Sequence, residues 1–156
     1  MAEHYLWIKW LHIVGAAVLF GTGLGTAFHF WSVCRTANSA AIAAAARSTV
    51  IADFVFTLPA AVLQPLTGLA LALIAGYPLA STWIVAAFAL YLVAGACWIP
   101  VVFIQMRMAE LAAASAREAR EPGEEFRRLL DRWFLLGWPA FLAMLAIFWL
   151  MVRRPA

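Results

Sequence analysis

Three side chains near the start of the chain can donate, accept or ligate: Lys9, His12 and His29, within "YLWIKWLHIVGAAVLFGTGLGTAFHFW". The stretch otherwise reads as lipid-soluble helix, where a polar group is costly enough to mark a purpose or a deliberate pairing. A second set lies in "DFVFTLPAAVLQPLTGLALAL". There Asp53 and Gln64 return to within about 20° of each other on an α-helix, with Thr57 and Thr67 on the same stripe. Such a stripe in an apolar background points into a bundle.

These residue types suit three uses. A neutral imidazole inside a helix bundle can be an axial ligand of haem iron, with Trp, Phe and Met along the macrocycle edge and Lys9 or loop arginines for the propionates. An Asp and a His at similar depth can pass protons. The third use is structural, with His12 bonded to Gln64 or to a backbone carbonyl and His29 snorkelling to the interface. The candidate cofactor-binding residues are therefore Lys9, His12, His29 and Gln64, the candidate iron ligands His12 and His29, and the candidate proton relay Asp53. His12 and His29 lie about 25 Å apart along one helix, so they cannot hold one iron together within a single chain. A haem b centre here has a single histidine with an open or non-histidine sixth position, or is ligated across a dimer. Met106, Met108 and Met144 are candidate second ligands.

The elements that must carry these residues follow from composition. The 156 residues are 66% hydrophobic and 12% charged, and the mean hydropathy is +0.89. No soluble core of this size hides so much apolar surface, so the chain reads as one integral membrane domain over residues 1–156. A span needs about 20 mostly apolar residues. Four stretches qualify: Tyr5 to Val33, Val50 to Ala75, Ser81 to Gln105 and Trp133 to Val152. The expected fold is all-α, a four-transmembrane-helix bundle. The first stretch is too long for the apolar core of a signal peptide and is preceded by Glu3 rather than basic residues, so it is retained as a helix.

On the first helix Lys9, Gly15, Ala16, Leu19, Gly23 and Thr26 lie within about 60° of the direction of His12. The face beside the histidine is thus mostly small. Gly21 and Gly25 form a GxxxG pair on the opposite face, a spacing that permits close helix approach within the chain or in a homodimer.

The net charge of +3 does not indicate a nucleic-acid partner, because the charges cluster at span ends and no basic aromatic surface exists. Arg35 and Arg47 fall in the first loop, and Arg107, Arg117, Arg120, Arg127, Arg128 and Arg132 in the third. The opposite side carries Lys9, Arg153 and Arg154. The positive-inside rule then places both termini on the outer side and the long loops in the cytoplasm of a bacterial inner membrane. The third loop also holds six acids, and its sequence predicts a salt-bridged cytoplasmic helical hairpin over 107–132, interrupted at Pro122-Gly123. "SAAIAAAARS" is an interfacial helix or the lead-in to span two. Cys34 and Cys97 have neither disulfide nor metal-ligand spacing and read as small apolar residues.

The run "YLWIKWLH", Tyr5 to His12, resembles the opening of the HemJ-type protoporphyrinogen oxidases, small four-helix bacterial membrane proteins. That resemblance implies haem b, a membrane oxidoreductase reaction, and Lys9 and His12 as haem-site residues. Over roughly three quarters of its length the chain is similar to a bacterial family of predicted integral membrane proteins of unknown function. The motifs that carry this are "HIVGAAVLFGTGLGTAF", "FTLPAAVLQPLTG", "CWIPVVFIQMRM" and "LGWPAFLAMLAIFWLMV", in that order. The expectation is thus a haem b protein of electron transfer or membrane redox chemistry. The alternatives are a non-enzymatic proton or small-solute transport module and an accessory membrane subunit.

Overall fold

The structure, a computed structural model, describes residues 2–153. Five α-helices and one π-helical turn account for its regular structure: α1 (Ala2–Cys34), α2 (Ser39–Ala52), the π turn Asp53–Thr57, α3 (Leu58–Ile74), α4 (Thr82–Arg117) and α5 (Glu124–Arg153). The segments α2, π turn and α3 form one continuous rod, so four helical passes are long and apolar enough to cross a membrane. This is the all-helical four-pass architecture expected from the sequence. The Ala-rich run is the lead-in to the second pass. It begins at Asn38, whose side chain accepts from the Ala41 N–H at 3.0 Å and caps α2.

The helices pack α1 on α2 and α3, α2 on α4, and α4 on α5. The seam of α4 shows why. Val101, Gln105, Met108, Ala112 and Ser115 are buried at alternating spacings of four and three, the pattern that keeps one helical stripe facing its neighbours. Opposite them α2 buries Ile42, Ala45, Ala46 and Thr49, mostly small side chains that let the two backbones approach. Phe30 of α1 closes this core, its ring 5.8 Å from Trp133 and 6.3 Å from Phe126 of α5 in edge-on contact. Phe20 makes a second α1–α5 contact, 5.2 Å from Phe141 and 5.3 Å from Phe148. Large apolar residues elsewhere point outward (Phe28 is 66% exposed, Leu66 60%, Phe103 68%). That inversion is what a lipid-facing surface requires, since hydrocarbon is as apolar as the side chains themselves.

Helix ends follow local chemistry. α3 closes with Gly76 at φ +74, the Tyr77 N–H returning to the Ala72 carbonyl at 3.0 Å and the Gly76 N–H to Leu73 at 3.2 Å. α4 stops the same way ahead of Pro122, with Ala119 rather than glycine in the left-handed position at φ +51. Beyond it, α5 starts with Glu124 and Glu125 in its first turn, where the helix dipole favours acids. The connection between α4 and α5 is crossed by the ion pair of Arg107 and Glu125 at 3.0 Å.

The π turn is the one irregularity of the second pass. Pro59 lies two residues beyond it, and proline has no N–H and presses on the carbonyl a turn earlier. The Leu58 N–H reaches back five residues to the Asp53 carbonyl, which accommodates that strain by inserting one extra residue. One residue is roughly 100° of rotation, so the halves of the rod face different neighbours.

Candidate functional site

Near the ends of the bundle that carry the termini, α1 and α3 are joined by reciprocal hydrogen bonds. His12 Nδ1 lies 2.8 Å from Thr67 Oγ1, and Gln64 Nε2 donates to the His12 backbone carbonyl at 2.9 Å. The Thr67 hydroxyl points its own hydrogen at the Leu63 carbonyl, 2.7 Å away. We therefore assign the ring proton of His12 to Nδ1, which donates to Thr67, and the lone pair to Nε2. A half-buried imidazole with a fixed ring and a free lone pair is the arrangement a metal-ligating histidine requires.

Two glycines make the contact possible. A Cβ on Gly68 would sit 3.2 Å from His12 Cε1, and one on Gly15 would sit 2.6 Å from Gln64 Nε2. Gly15 thus seats the amide and Gly68 the imidazole. A further link lies one turn away. Pro65 has no N–H, which leaves the Ala61 carbonyl without its helical donor, and the Tyr91 hydroxyl of α4 donates to that carbonyl instead.

The second polar group lies across the π turn. Asp53 Oδ2 accepts from Gln105 Nε2 at 2.6 Å and from Trp98 Nε1 at 3.3 Å, both on α4. Gln105 Oε1 in turn accepts from Trp133 Nε1 of α5 at 3.3 Å, which fixes which way the amide faces. The chain Trp133, Gln105, Asp53 and Trp98 ties three passes together. Asp53, Gln105 and Trp133 are all buried.

The sequence placed Asp53, Thr57, Gln64 and Thr67 on one stripe, and all four are buried. They do not form one track. Rotation through the π turn directs Asp53 to α4, while Gln64 and Thr67 meet α1. Lys9 is exposed, its ammonium 5.9 Å from the Tyr5 ring centroid, so it flanks the His12 contact without entering it. His29 is exposed on α1, and its carbonyl accepts from the Ser32 hydroxyl at 2.8 Å. Gly21 and Gly25 are exposed as well, with nothing within 4 Å of where a Cβ would be. Met108 is fully buried in the core beside Phe30, a residue roughly 27 Å along α1 from His12.

Sequence reasoning missed Gly68, Tyr91, Trp98 and Trp133 as partners of the polar residues. One signal was available. A proline in a span frees the carbonyl four residues back, and Tyr91 is the hydroxyl that reaches it. The glycine contacts and indole donors depend on helix pairing and had no local signature. Among the described residues no group of three or more His, Cys, Asp or Glu side chains converges.

No curated protein and no solved structure matches this chain. A family model described as "Predicted integral membrane protein (DUF2269)" matches residues 6–155, and the chain belongs to that family.

Proposed function

We propose that this multi-pass membrane protein binds haem b through His12 and acts in electron transfer or a membrane redox reaction. The observation that carries the reading is the orientation of the His12 ring: Nδ1 is engaged by Thr67 at 2.8 Å, leaving Nε2 as the donor. When bound, haem supplies a one-electron redox centre whose potential is set by the axial ligand and its burial. The residues of the chain do the rest. Thr67 fixes the tautomer and the ring plane, Gln64 fixes the backbone beneath the ring, and Gly68 keeps the ring's flank free of a side chain. Lys9, three residues earlier and exposed, is the cation available to the propionate carboxylates. His29 is a candidate ligand for a second haem, since it lies too far along α1 to share the first. The distribution of arginines favours both termini on the outer side of a bacterial inner membrane, and the open Gly21/Gly25 face suits a homodimer.

The test is an absorption spectrum of the protein purified in mild detergent, with and without haem supplementation. A Soret band that disappears in His12→Ala but persists in His29→Ala supports the reading. Failure of the folded protein to show any band after haem addition overturns it.

A further inference from the structure

We infer that the face of the π turn carrying Asp53 and Thr57 binds a single small cation, a proton or an alkali-metal ion, held by the Asp53 carboxylate with the Thr57 hydroxyl as its second oxygen. Asp53 is 7% exposed. Its two donors, Trp98 and Gln105, are neutral and both bond to Oδ2, leaving Oδ1 as the open acceptor. Gln105 cannot turn its carbonyl oxygen toward the carboxyl without abandoning the Trp133 indole, so the surroundings are built to face a carboxylate. A carboxylate at this depth without a positive partner is strongly disfavoured.

Among the described residues no cationic side chain pairs with it. The ion pairs among the described residues join Arg107 to Glu110 and Glu125, Arg120 to Glu118, and Arg128 to Glu124. The basic and acidic side chains on the adjoining stretches of each packed element, His29 of α1, Arg47 of α2, Arg107 of α4 and Asp131 and Arg132 of α5, are exposed, and α3 has no titratable side chain. Of the other titratable side chains on α1 and α4, the thiols Cys34 and Cys97 are half-buried and the Tyr91 hydroxyl is given to the Ala61 carbonyl.

The independent observation is Thr57. Its hydroxyl is buried and has no hydrogen-bond partner. Thr26, Thr49 and Thr67 each return their hydroxyls to the carbonyl four residues back. For Thr57 that carbonyl belongs to Asp53, and in the widened turn, where the Leu58 N–H reaches it instead of a residue four positions on, the hydroxyl does not bond to it. Residues four apart in such a turn share a face to within roughly 40°. The turn thus sets an unpartnered hydroxyl on the same face as an uncompensated carboxylate, and one cation between them answers both. This inference is independent of haem binding.

A hydrophobic carbodiimide, which modifies protonated carboxyls, tests it on the full-length protein in detergent, with labelling at Asp53 read by mass spectrometry relative to exposed Glu124. In choline buffers, Asp53 labelling that exceeds Glu124 labelling several-fold at neutral pH, the excess shrinking as pH falls and Glu124 takes up its own proton, identifies the proton as the cation. Labelling at fixed pH that sodium or potassium slows several-fold, and choline does not, identifies an alkali ion. Either result supports the site. Relative labelling that is absent, or indifferent to both pH and alkali ions, overturns it. Thr57→Val should weaken the protonation or alkali response several-fold while Thr57→Ser retains it, and an unchanged response in Thr57→Val overturns the two-oxygen site.

Discussion

The backbone of Gly15 and the side chain of Gln64 touch so closely that a Cβ on Gly15 would lie 2.6 Å from Nε2. That is the nitrogen that donates to the His12 carbonyl at 2.9 Å. Gly15→Ala should therefore evict the amide and break one of the two hydrogen bonds between α1 and α3. The expected loss is about 1–2 kcal/mol in reversible unfolding in micelles, the range for interhelical polar contacts in membranes. Gly23→Ala, which meets nothing within 4 Å, is the control and should leave stability unchanged or raised.

Tyr91 and Pro65 should be coupled thermodynamically. Tyr91→Phe leaves the Ala61 carbonyl unpaired in an apolar medium, at a cost of about 1–3 kcal/mol. Pro65→Ala restores a backbone N–H that can reach that carbonyl. In the Pro65→Ala background, Tyr91→Phe should cost at least about 1 kcal/mol less. Additive effects in a double-mutant unfolding cycle would show that Tyr91 does not compensate for the proline.

Why the passes were legible and the contacts were not is visible in these residues. Apolar length alone marks a membrane-crossing helix, so the four passes needed no knowledge of their neighbours. The helices overrun the apolar stretches, because Ser39–Val50, Met106–Arg117 and Glu124–Arg132 are amphipathic or charged yet helical. The polar stripe of the second pass was legible as buried residues. Its division between α4 and α1 was not, because a straight α-helix was assumed where Pro59 induces a π turn. His12 was readable as a polar residue with small neighbours. Its partner Thr67 and its glycine flank lie 55 and 56 positions away, set only by how α1 meets α3.

Gln105 should be the costliest polar residue to remove from the Asp53 network. Gln105→Leu deprives Asp53 of the 2.6 Å donor and strands the Trp133 indole N–H, two losses in one substitution. Trp98→Phe removes only a 3.3 Å donor to a carboxylate that keeps Gln105. The expected order is Gln105→Leu at more than about 2 kcal/mol and Trp98→Phe at about 1 kcal/mol or less. Midpoints of thermal unfolding in one detergent check the order, and equal shifts would show that the network does not act through Gln105.

Ala119 holds a left-handed conformation, φ +51, at the end of α4. The Arg120 N–H to Ser115 carbonyl bond at 3.0 Å depends on that turn. A side chain there carries a penalty of roughly 1–2 kcal/mol, partly offset in the glycine variant by the larger entropy of its unfolded chain. Ala119→Gly should therefore raise stability by up to about 1 kcal/mol, seen as a higher unfolding midpoint and slower proteolysis of the loop between α4 and α5.

Thr67 separates an oriented imidazole from one merely present. Thr67→Val keeps the volume close and removes the acceptor that fixes Nδ1–H, so the ring loses its tautomer lock and its Nε2 lone pair is no longer directed. On the haem reading, titration of the purified variant should show haem affinity reduced about 10–100-fold, the usual cost of losing a partner behind a ligating histidine. Thr67→Ser keeps the hydroxyl and should retain most of the affinity. Both variants remove a methyl or a hydroxyl at the same α1–α3 contact, so a purely structural role predicts that haem affinity follows stability. An affinity lost in valine and kept in serine, at matched unfolding midpoints, can arise only from orientation of the ring.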